Sequence, residues 1–166
     1  MNLWLFIRIL LCGFGIVSSA ASAAVIVSFP ESRHYSDAGD YGESDRTVDD
    51  LKRHLERLAE RYLSPSRTLR IEVLDIDLAG RTRYFPHRGI ADIRVLNGRA
   101  DWPSIKLRYT VESDGRISDA REETVADMAY LVRPAPGGSS ESLYYEKRML
   151  DDWFRQRIGE RRKPTP

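Results

Sequence analysis

Ser104–Gly115 reads SIKLRYTVESDG, and this stretch decides the fold of the chain. Its apolar side chains, at positions 105, 107, 109 and 111, alternate with polar ones, which is typical of a β-strand with one buried face. Asp114-Gly115 is a signal for a two-residue hairpin turn. The segment from Ile117 to Leu131 is therefore predicted to return antiparallel to the first strand.

Three segments before this hairpin also have the pattern of strands. Ala24–Phe29 alternates, Thr68–Leu78 is rich in β-favouring residues, and Ile90–Leu96 is a short segment ended by the turn residues Asn97-Gly98. Pro30–Asp45 and Arg81–Gly89 lack periodicity and are predicted to be loops.

A first helix is predicted from Thr47, as N-cap with Asp50 as a weak capping-box partner, to Leu63. His54 lies on its polar side, where we expect it in solvent. The apolar side of this helix consists of residues at helical spacing, namely Val48, Leu51, Leu55, Leu58, Ala59 and Tyr62.

A second helix is predicted after the Pro/Gly/Ser-rich loop Pro134–Ser140, with Ser142 or a neighbour as its cap. Trp153 and Phe154 are aromatic residues on an otherwise charged helix, so we expect them to be buried against the sheet. The face predicted to contact the sheet comprises Leu143, Leu150, Trp153, Phe154 and Arg157.

This order of elements predicts an α+β fold. A mostly antiparallel sheet of about four to five strands, covered by two helices, is most simply arranged as a two-layer sandwich. We expect one domain over residues 24–158 and a disordered tail over residues 159–166.

The first residues of the chain predict export. Arg8 precedes an apolar run, Ile9–Val17, and Ala21-Ser22-Ala23 supplies the small-x-small pattern of a signal-peptidase site, so cleavage is expected between Ala23 and Ala24. The apolar run is too short to span a bilayer. The predicted location is the periplasm, with no membrane span after removal of residues 1–23.

Charge and cysteine content exclude several classes of protein. The chain has 26 Lys and Arg against 25 Asp and Glu, and loss of Arg8 with the signal leaves 25 of each sign. Such a balance gives no long-range attraction to nucleic acid or anionic lipid. Cys12, the chain's one cysteine, lies within the signal and follows Leu11 rather than a small residue, so neither lipidation nor a disulfide in the mature protein is expected.

Asp75 and Asp77 are the strongest candidates for chemistry. Two residues apart on one strand, their carboxylates are expected to share a face with Ile71 and Val73. That arrangement suits a divalent-metal site or an acid–base pair, but two carboxylates fall short of the oxygen ligands that calcium requires. We expect both acids to be structural, held by an arginine or by backbone N–H groups.

The remaining candidates are weaker. His34, His54 and His87 lack zinc-ligand spacing, and the chain has neither a Gly-x-Ser-x-Gly nor a phosphate-binding glycine motif. Trp102, beside a proline at a strand entry, is a candidate contact residue on the rim. The sequence therefore implies no cofactor and no metal.

Several runs of this chain resemble one known family. They are Tyr35–Asp40, His54–Leu58 with Tyr62-Leu63, Val73–Gly80, Asp92–Leu96, Ala100–Pro103 with Leu107–Tyr109, Asp127–Leu131, and Tyr145–Phe154. Together they resemble the bacterial secreted family catalogued as domain of unknown function 3016, over essentially the whole mature chain. The resemblance implies one exported domain and implies no activity or catalytic residue.

Two functions follow as hypotheses. The first is a non-enzymatic binding or accessory module of the cell envelope, whose partner is a periplasmic protein or an envelope component. The second is an enzyme that uses Asp75 and Asp77 with His34 or His87. An enzyme predicts a pocket where one of these acids is buried near a histidine, whereas a binding module predicts an exposed apolar patch. The sequence leaves the oligomeric state open.

Overall fold

The computed structural model describes residues 24–30, 34–39, 42–83, 93–98, 100–133 and 141–159. The predicted signal peptide, the segments 84–92 (with His87) and 134–140, and residues 160–166 of the predicted tail lie outside these residues. The described elements are β1 (Ala24–Ser28), α1 (Glu43–Tyr62), β2 (Arg67–Asp77), β3 (Arg81–Arg83), β4 (Ile93–Val95), β5 (Ser104–Ser113), β6 (Arg116–Ala126) and α2 (Tyr144–Arg157).

These elements confirm the α+β fold. Four strands form one sheet in the order β1-β2-β5-β6, in which β1 is parallel to β2 and the other neighbours are antiparallel. The apolar faces of α1 and α2 pack on one side of this sheet and form the core with it. Among the described residues, no helix is long and apolar enough to cross a membrane.

The β5–β6 hairpin forms as predicted. The turn residues Asp114 and Gly115 both have left-handed backbone angles, φ 51° and 74°, as a tight hairpin with right-handed strand twist requires. The predicted end of β6 at Leu131 is wrong, since the strand stops at Ala126. Asp127 ends it because its carboxylate accepts the Ala129 N–H at 3.1 Å and its carbonyl accepts the Tyr130 N–H at 3.2 Å, which starts a turn.

A bulge in β2 corrects the prediction for the two acids. Val73 pairs with Leu107, but the next paired residue is Asp75, opposite Lys106, so Leu74 is an extra residue in the strand. The buried positions consequently shift from Val73 to Ile76. Asp75 and Asp77 still share a face, but it is the face opposite to Ile71 and Val73.

Helix α1 begins four residues before its predicted cap. Gly42, with φ 84°, is the N-cap, and Glu43 and Asp45 in the first turn interact favourably with the helix dipole. Thr47 lies inside the helix, where it is buried, so its prediction as N-cap is wrong. Leu51, Leu55, Leu58 and Ala59 are buried as predicted.

Two further predictions need correction. Arg81–Arg83, predicted to be part of a loop, forms a strand because it finds an antiparallel partner in β4. Arg157 of α2 is exposed rather than on the buried face. Leu150, Trp153 and Phe154 are buried as predicted, together with Met149 and, unexpectedly, Glu146.

Candidate functional site

The two predicted acids fasten neighbouring segments to the end of β2. Asp75 accepts two hydrogen bonds of 2.7 Å, from the backbone N–H and the hydroxyl of Ser36. Asp77 accepts one of 2.8 Å from the guanidinium of Arg81. Both carboxylates thus have the kind of donor that the sequence argument expected for structural acids.

Neither of the two described histidines, His34 and His54, contacts these acids. His34 is exposed, and His87 lies outside the described residues. The expected exposure of His54 is wrong, because α2 packs over it. Its Nε2 lies 3.1 Å from both the Lys147 carbonyl and an Asp151 carboxylate oxygen, and burial lowers the pKa of His54 against the opposing effect of Asp151. Within the described part of the chain, no group of three or more His, Cys, Asp or Glu side chains could hold a metal ion.

A polar cluster lies at the end of β2 and comprises Asp37, Asp77, Arg81, Arg94 and Glu146. Two guanidinium nitrogens of Arg94 donate to the two carboxylate oxygens of Asp37 at 3.0 and 2.9 Å. Burial opposes ionisation of Asp37, but Arg94 and the Gly39 N–H outweigh it and hold the pKa of this carboxyl below its usual value. Arg81 adds a contact of 3.8 Å to the same carboxylate.

Glu146 is the buried member of this cluster, with 3% of its surface exposed. Its Oε1 accepts the backbone N–H of Ala79 at 2.7 Å, which fixes the first turns of α2 to the end of β2. Burial raises the pKa of Glu146. This residue was not among the candidates from the sequence, although its spacing to Met149, Leu150 and Trp153 places it on the buried face of the helix.

Gly80 allows the β3–β4 pair to approach this cluster. Its φ is 81°, and a Cβ at this position would lie 2.6 Å from the carbonyl oxygen of Val95. No larger residue fits there without displacing β4, and Arg94 with it.

A second feature is the 127–133 loop, which follows β6 in the chain and leads towards α2. Met128, Leu131 and Val132 of this loop are 70%, 40% and 78% exposed. Tyr130, in contrast, is fully buried, with its ring edge-on to Tyr145 at 5.0 Å and its hydroxyl accepting the Gly98 N–H at 3.2 Å. The loop is therefore anchored by one aromatic side chain while it presents apolar side chains to solvent.

Arg148 of α2 fixes the backbone of the same loop. Its guanidinium donates to the carbonyl oxygens of Arg133, at 2.7 Å, and Tyr130, at 2.5 Å, and to the Asp127 carboxylate at 3.1 Å. The guanidinium also lies 5.5 Å from the ring centroids of Tyr144 and Tyr145. Nothing in the sequence pattern singles out Arg148 from the other arginines of this helix.

A cleft of about 340 Å³ runs between the end of β6 and α2. Its lining consists of residues 123–127 of β6, Arg133, and Met149, Asp152, Trp153, Gln156 and Arg157 of α2. Neither Asp75, Asp77 nor a described histidine lines it, so this cleft is not the pocket that the enzyme hypothesis predicts. Trp102, the rim candidate, is half-buried just before β5.

The runs that carry the family resemblance converge on these features. Each of these runs, except the one on α1, contributes a residue to the polar cluster or to the hydrogen bonds next to it. These residues are Asp37, Asp77, Arg94, Asp101, Tyr130 and Glu146. Asp101 is buried and accepts the Asn97 N–H at 2.6 Å, next to Gly98 and its contact with Tyr130.

Residues 23–156 match one protein family. No curated protein and no solved structure gives a significant match to the chain. Because the matched residues cover most of the sequence, the chain belongs to the family described as protein of unknown function (DUF3016).

Proposed function

We propose that this protein is a non-enzymatic accessory module of the cell envelope, and that it binds a partner protein through the 127–133 loop. The observation that carries the proposal is the exposure of Met128, Leu131 and Val132 within five positions of one anchored loop. Single exposed apolar side chains are common on protein surfaces, whereas a contiguous group indicates an interaction site.

The way the loop is held supports a binding role. Hydrogen bonds from Arg148 to the carbonyls of Tyr130 and Arg133 fix the loop backbone before any partner arrives. Such preorganisation lowers the entropy that binding must overcome.

The envelope part of the proposal is supported by the predicted export signal over residues 1–23. The enzyme hypothesis has no comparable support, because Asp75 and Asp77 are engaged by Ser36 and Arg81.

Site-specific photocrosslinking in the producing bacterium tests the proposal. A photoreactive amino acid at Val132 is expected to give an adduct with another envelope protein, and Met128→Asp in the same chain is expected to reduce it. Ile117, which is 68% exposed at the hairpin end of β6, provides a matched control position that should give no such adduct.

Three outcomes would overturn the proposal. They are the same adducts from positions 117 and 132, no adduct from position 132, and an adduct only between two copies of this chain. Recovery of the protein in the cytoplasmic rather than the periplasmic fraction would refute the envelope assignment.

A further inference from the structure

Met128 and Met149 are the two methionines among the described residues, and they differ in exposure. Met128 is 70% exposed on the 127–133 loop, whereas Met149 is 3% exposed on the buried face of α2. The other sulfur atoms of the chain, in Met1 and Cys12, lie in the predicted signal. The mature protein is therefore expected to present one thioether to solvent and no thiol, so a soluble oxidant has one accessible sulfur atom to attack.

The backbone around Met128 is held without use of its side chain. The Asp127 carbonyl accepts the Tyr130 N–H at 3.2 Å, so Met128 is the second residue of a turn. The Asp127 carboxylate accepts the Ala129 N–H at 3.1 Å, and Arg148 donates to the same carboxylate and to the Tyr130 carbonyl. The thioether takes part in none of these hydrogen bonds. A chemical change at the sulfur atom therefore alters the surface of the loop and leaves its backbone in place.

We propose that Met128 is a site of reversible oxidation by peroxides, and that its sulfoxide form releases the partner bound by the 127–133 loop. The sulfur attacks one oxygen of hydrogen peroxide, so that an S–O bond forms as the O–O bond breaks and the sulfur loses two electrons. The hydroxide that leaves takes the proton of the new S–OH group and becomes water. A methionine sulfoxide reductase reverses the change with two thiols, which become a disulfide while the oxygen leaves as water.

The release step rests on the proposed function, because it acts on the same apolar group. Met128 shares the loop surface with Leu131 and Val132. A thioether is apolar and adapts to the surface of a partner, whereas a sulfoxide is polar. Burial of that oxygen without a hydrogen-bond donor is unfavourable, so a partner that covers the thioether binds the sulfoxide less tightly.

The two methionines can be followed separately, because trypsin places them in different peptides, Glu122–Lys147 and Met149–Arg155. The folded protein is treated with dilute hydrogen peroxide and digested, and fragment masses locate the added oxygen. We expect Met128 to be oxidised at least about 10-fold faster than Met149, and the two rates to become equal in a denaturing concentration of urea. Thermal melts before and after oxidation of Met128 should coincide.

The adduct from a photoreactive amino acid at Val132 tests the release step. Treatment of the producing bacterium with hydrogen peroxide before irradiation should lower the adduct to less than about half, and methionine sulfoxide reductases with a dithiol should restore it in permeabilised cells. Each variant is compared with its own untreated sample. In Met128→Leu, which has no sulfur at this position, peroxide should not lower the adduct. In Met149→Leu, a change of similar volume in the core, peroxide should lower it as in wild type.

Equal oxidation of Met128 and Met149 in the folded protein would overturn the proposal, as would a melting temperature lowered by oxidation of Met128. A peroxide effect that persists in Met128→Leu would overturn the release step. If that variant gives no adduct before treatment, recovery of the wild-type adduct with the reductases decides, and failure to recover it counts against release.

The outcomes also separate this proposal from the proposed function. An adduct that persists after the peptide masses show Met128 oxidised leaves the proposed function intact and refutes its regulation. If position 132 gives no adduct in untreated wild type, the proposed function and the release step fail together, whereas the peptide masses still decide whether Met128 is the oxidation site.

Discussion

Replacement of Arg148 tests whether this side chain holds the 127–133 loop in place. Its guanidinium is 13% exposed and makes three hydrogen bonds, to the carbonyls of Tyr130 and Arg133 and to the Asp127 carboxylate. Arg148→Met keeps the length of the side chain but removes every donor, so two carbonyls and a largely buried carboxylate lose a partner.

The expected cost follows from these contacts. Hydrogen bonds to charged groups contribute about 1.5–3 kcal/mol each, so three contribute roughly 4.5–9 kcal/mol before losses. Ordering an arginine opposes this by about 2 kcal/mol. Its Nε, which is buried and has no partner among the described residues, opposes it by about 1–3 kcal/mol more. Arg148→Met is therefore expected to lower the free energy of unfolding by about 3 kcal/mol, out of about 5–15 kcal/mol for a domain.

Urea denaturation of wild type, Arg148→Met and Arg148→Lys measures this cost. Lysine keeps the charge and has no Nε to bury, so Arg148→Lys is expected to lower the free energy of unfolding by about 1–2 kcal/mol. Arg53→Met, at an exposed ion pair on α1, is the control and should change stability by less than about 0.5 kcal/mol. A loss below about 1 kcal/mol in Arg148→Met, or unchanged hydrogen exchange at Tyr130 and Val132, would refute the reasoning.

Four further changes test other parts of the structure. Leu55→Ala, at a side chain 1% exposed, should cost about 2–5 kcal/mol in urea melts, and a loss below about 0.5 kcal/mol would contradict the packing of α1. Burial lowers the pKa of His54, so its contribution to stability is complete above the ordinary histidine pKa and is lost as the pH falls through the folded-state pKa. In urea melts from about pH 8 to about pH 5, the free energy of unfolding should therefore fall less for His54→Gln than for wild type. Burial raises the pKa of Glu146, so its contribution to stability is complete below the ordinary glutamate pKa and is lost as the pH rises through the folded-state pKa. Glu146→Gln, which keeps an acceptor for the Ala79 N–H, should therefore gain stability relative to wild type as the pH rises above the ordinary glutamate pKa. Asp75→Ala should cost about 1 kcal/mol and Asp75→Asn less, because Asn retains an acceptor for Ser36; a melting temperature that Mg²⁺, Ca²⁺ or Zn²⁺ raises in wild type but not in these variants would instead indicate a metal site.

Periodicity predicted the parts of the fold that depend on local pattern. The alternation of β5 and the Asp114-Gly115 turn specify a hairpin, and the apolar face of α1 specifies which side chains it buries. Element ends were less predictable because long-range contacts decide them. Thr47 has the side chain of an N-cap, yet it lies buried inside α1, which begins at Glu43 after the Gly42 N-cap.

The functional features were less predictable for a related reason. Glu146 and Arg148 are ordinary helix residues in sequence, and their roles arise from backbone groups that lie distant in the chain, at Ala79 and Tyr130. A pattern along one segment carries no information about which carbonyl or N–H group another segment will bring to it. The sequence pattern extends β6 over Met128 and Leu131 because it does not show that Asp127 stops the strand through its own hydrogen bonds.

The bulge in β2 explains how one strand can serve both the core and the polar cluster. Without the extra residue Leu74, the alternation that buries Ile71 and Val73 would direct Asp75 and Asp77 into the core beneath the helices. Unpaired carboxylates there would cost several kcal/mol each. With the bulge, Ile76 fills the core, and the two acids face Ser36 and Arg81. The same shift lets the Asp37 backbone bond to Ile76 and Leu78, so that its carboxylate meets Arg94. A local irregularity in one strand thus separates the apolar interior from the charged network on which the 78–80 turn, β4 and α2 converge.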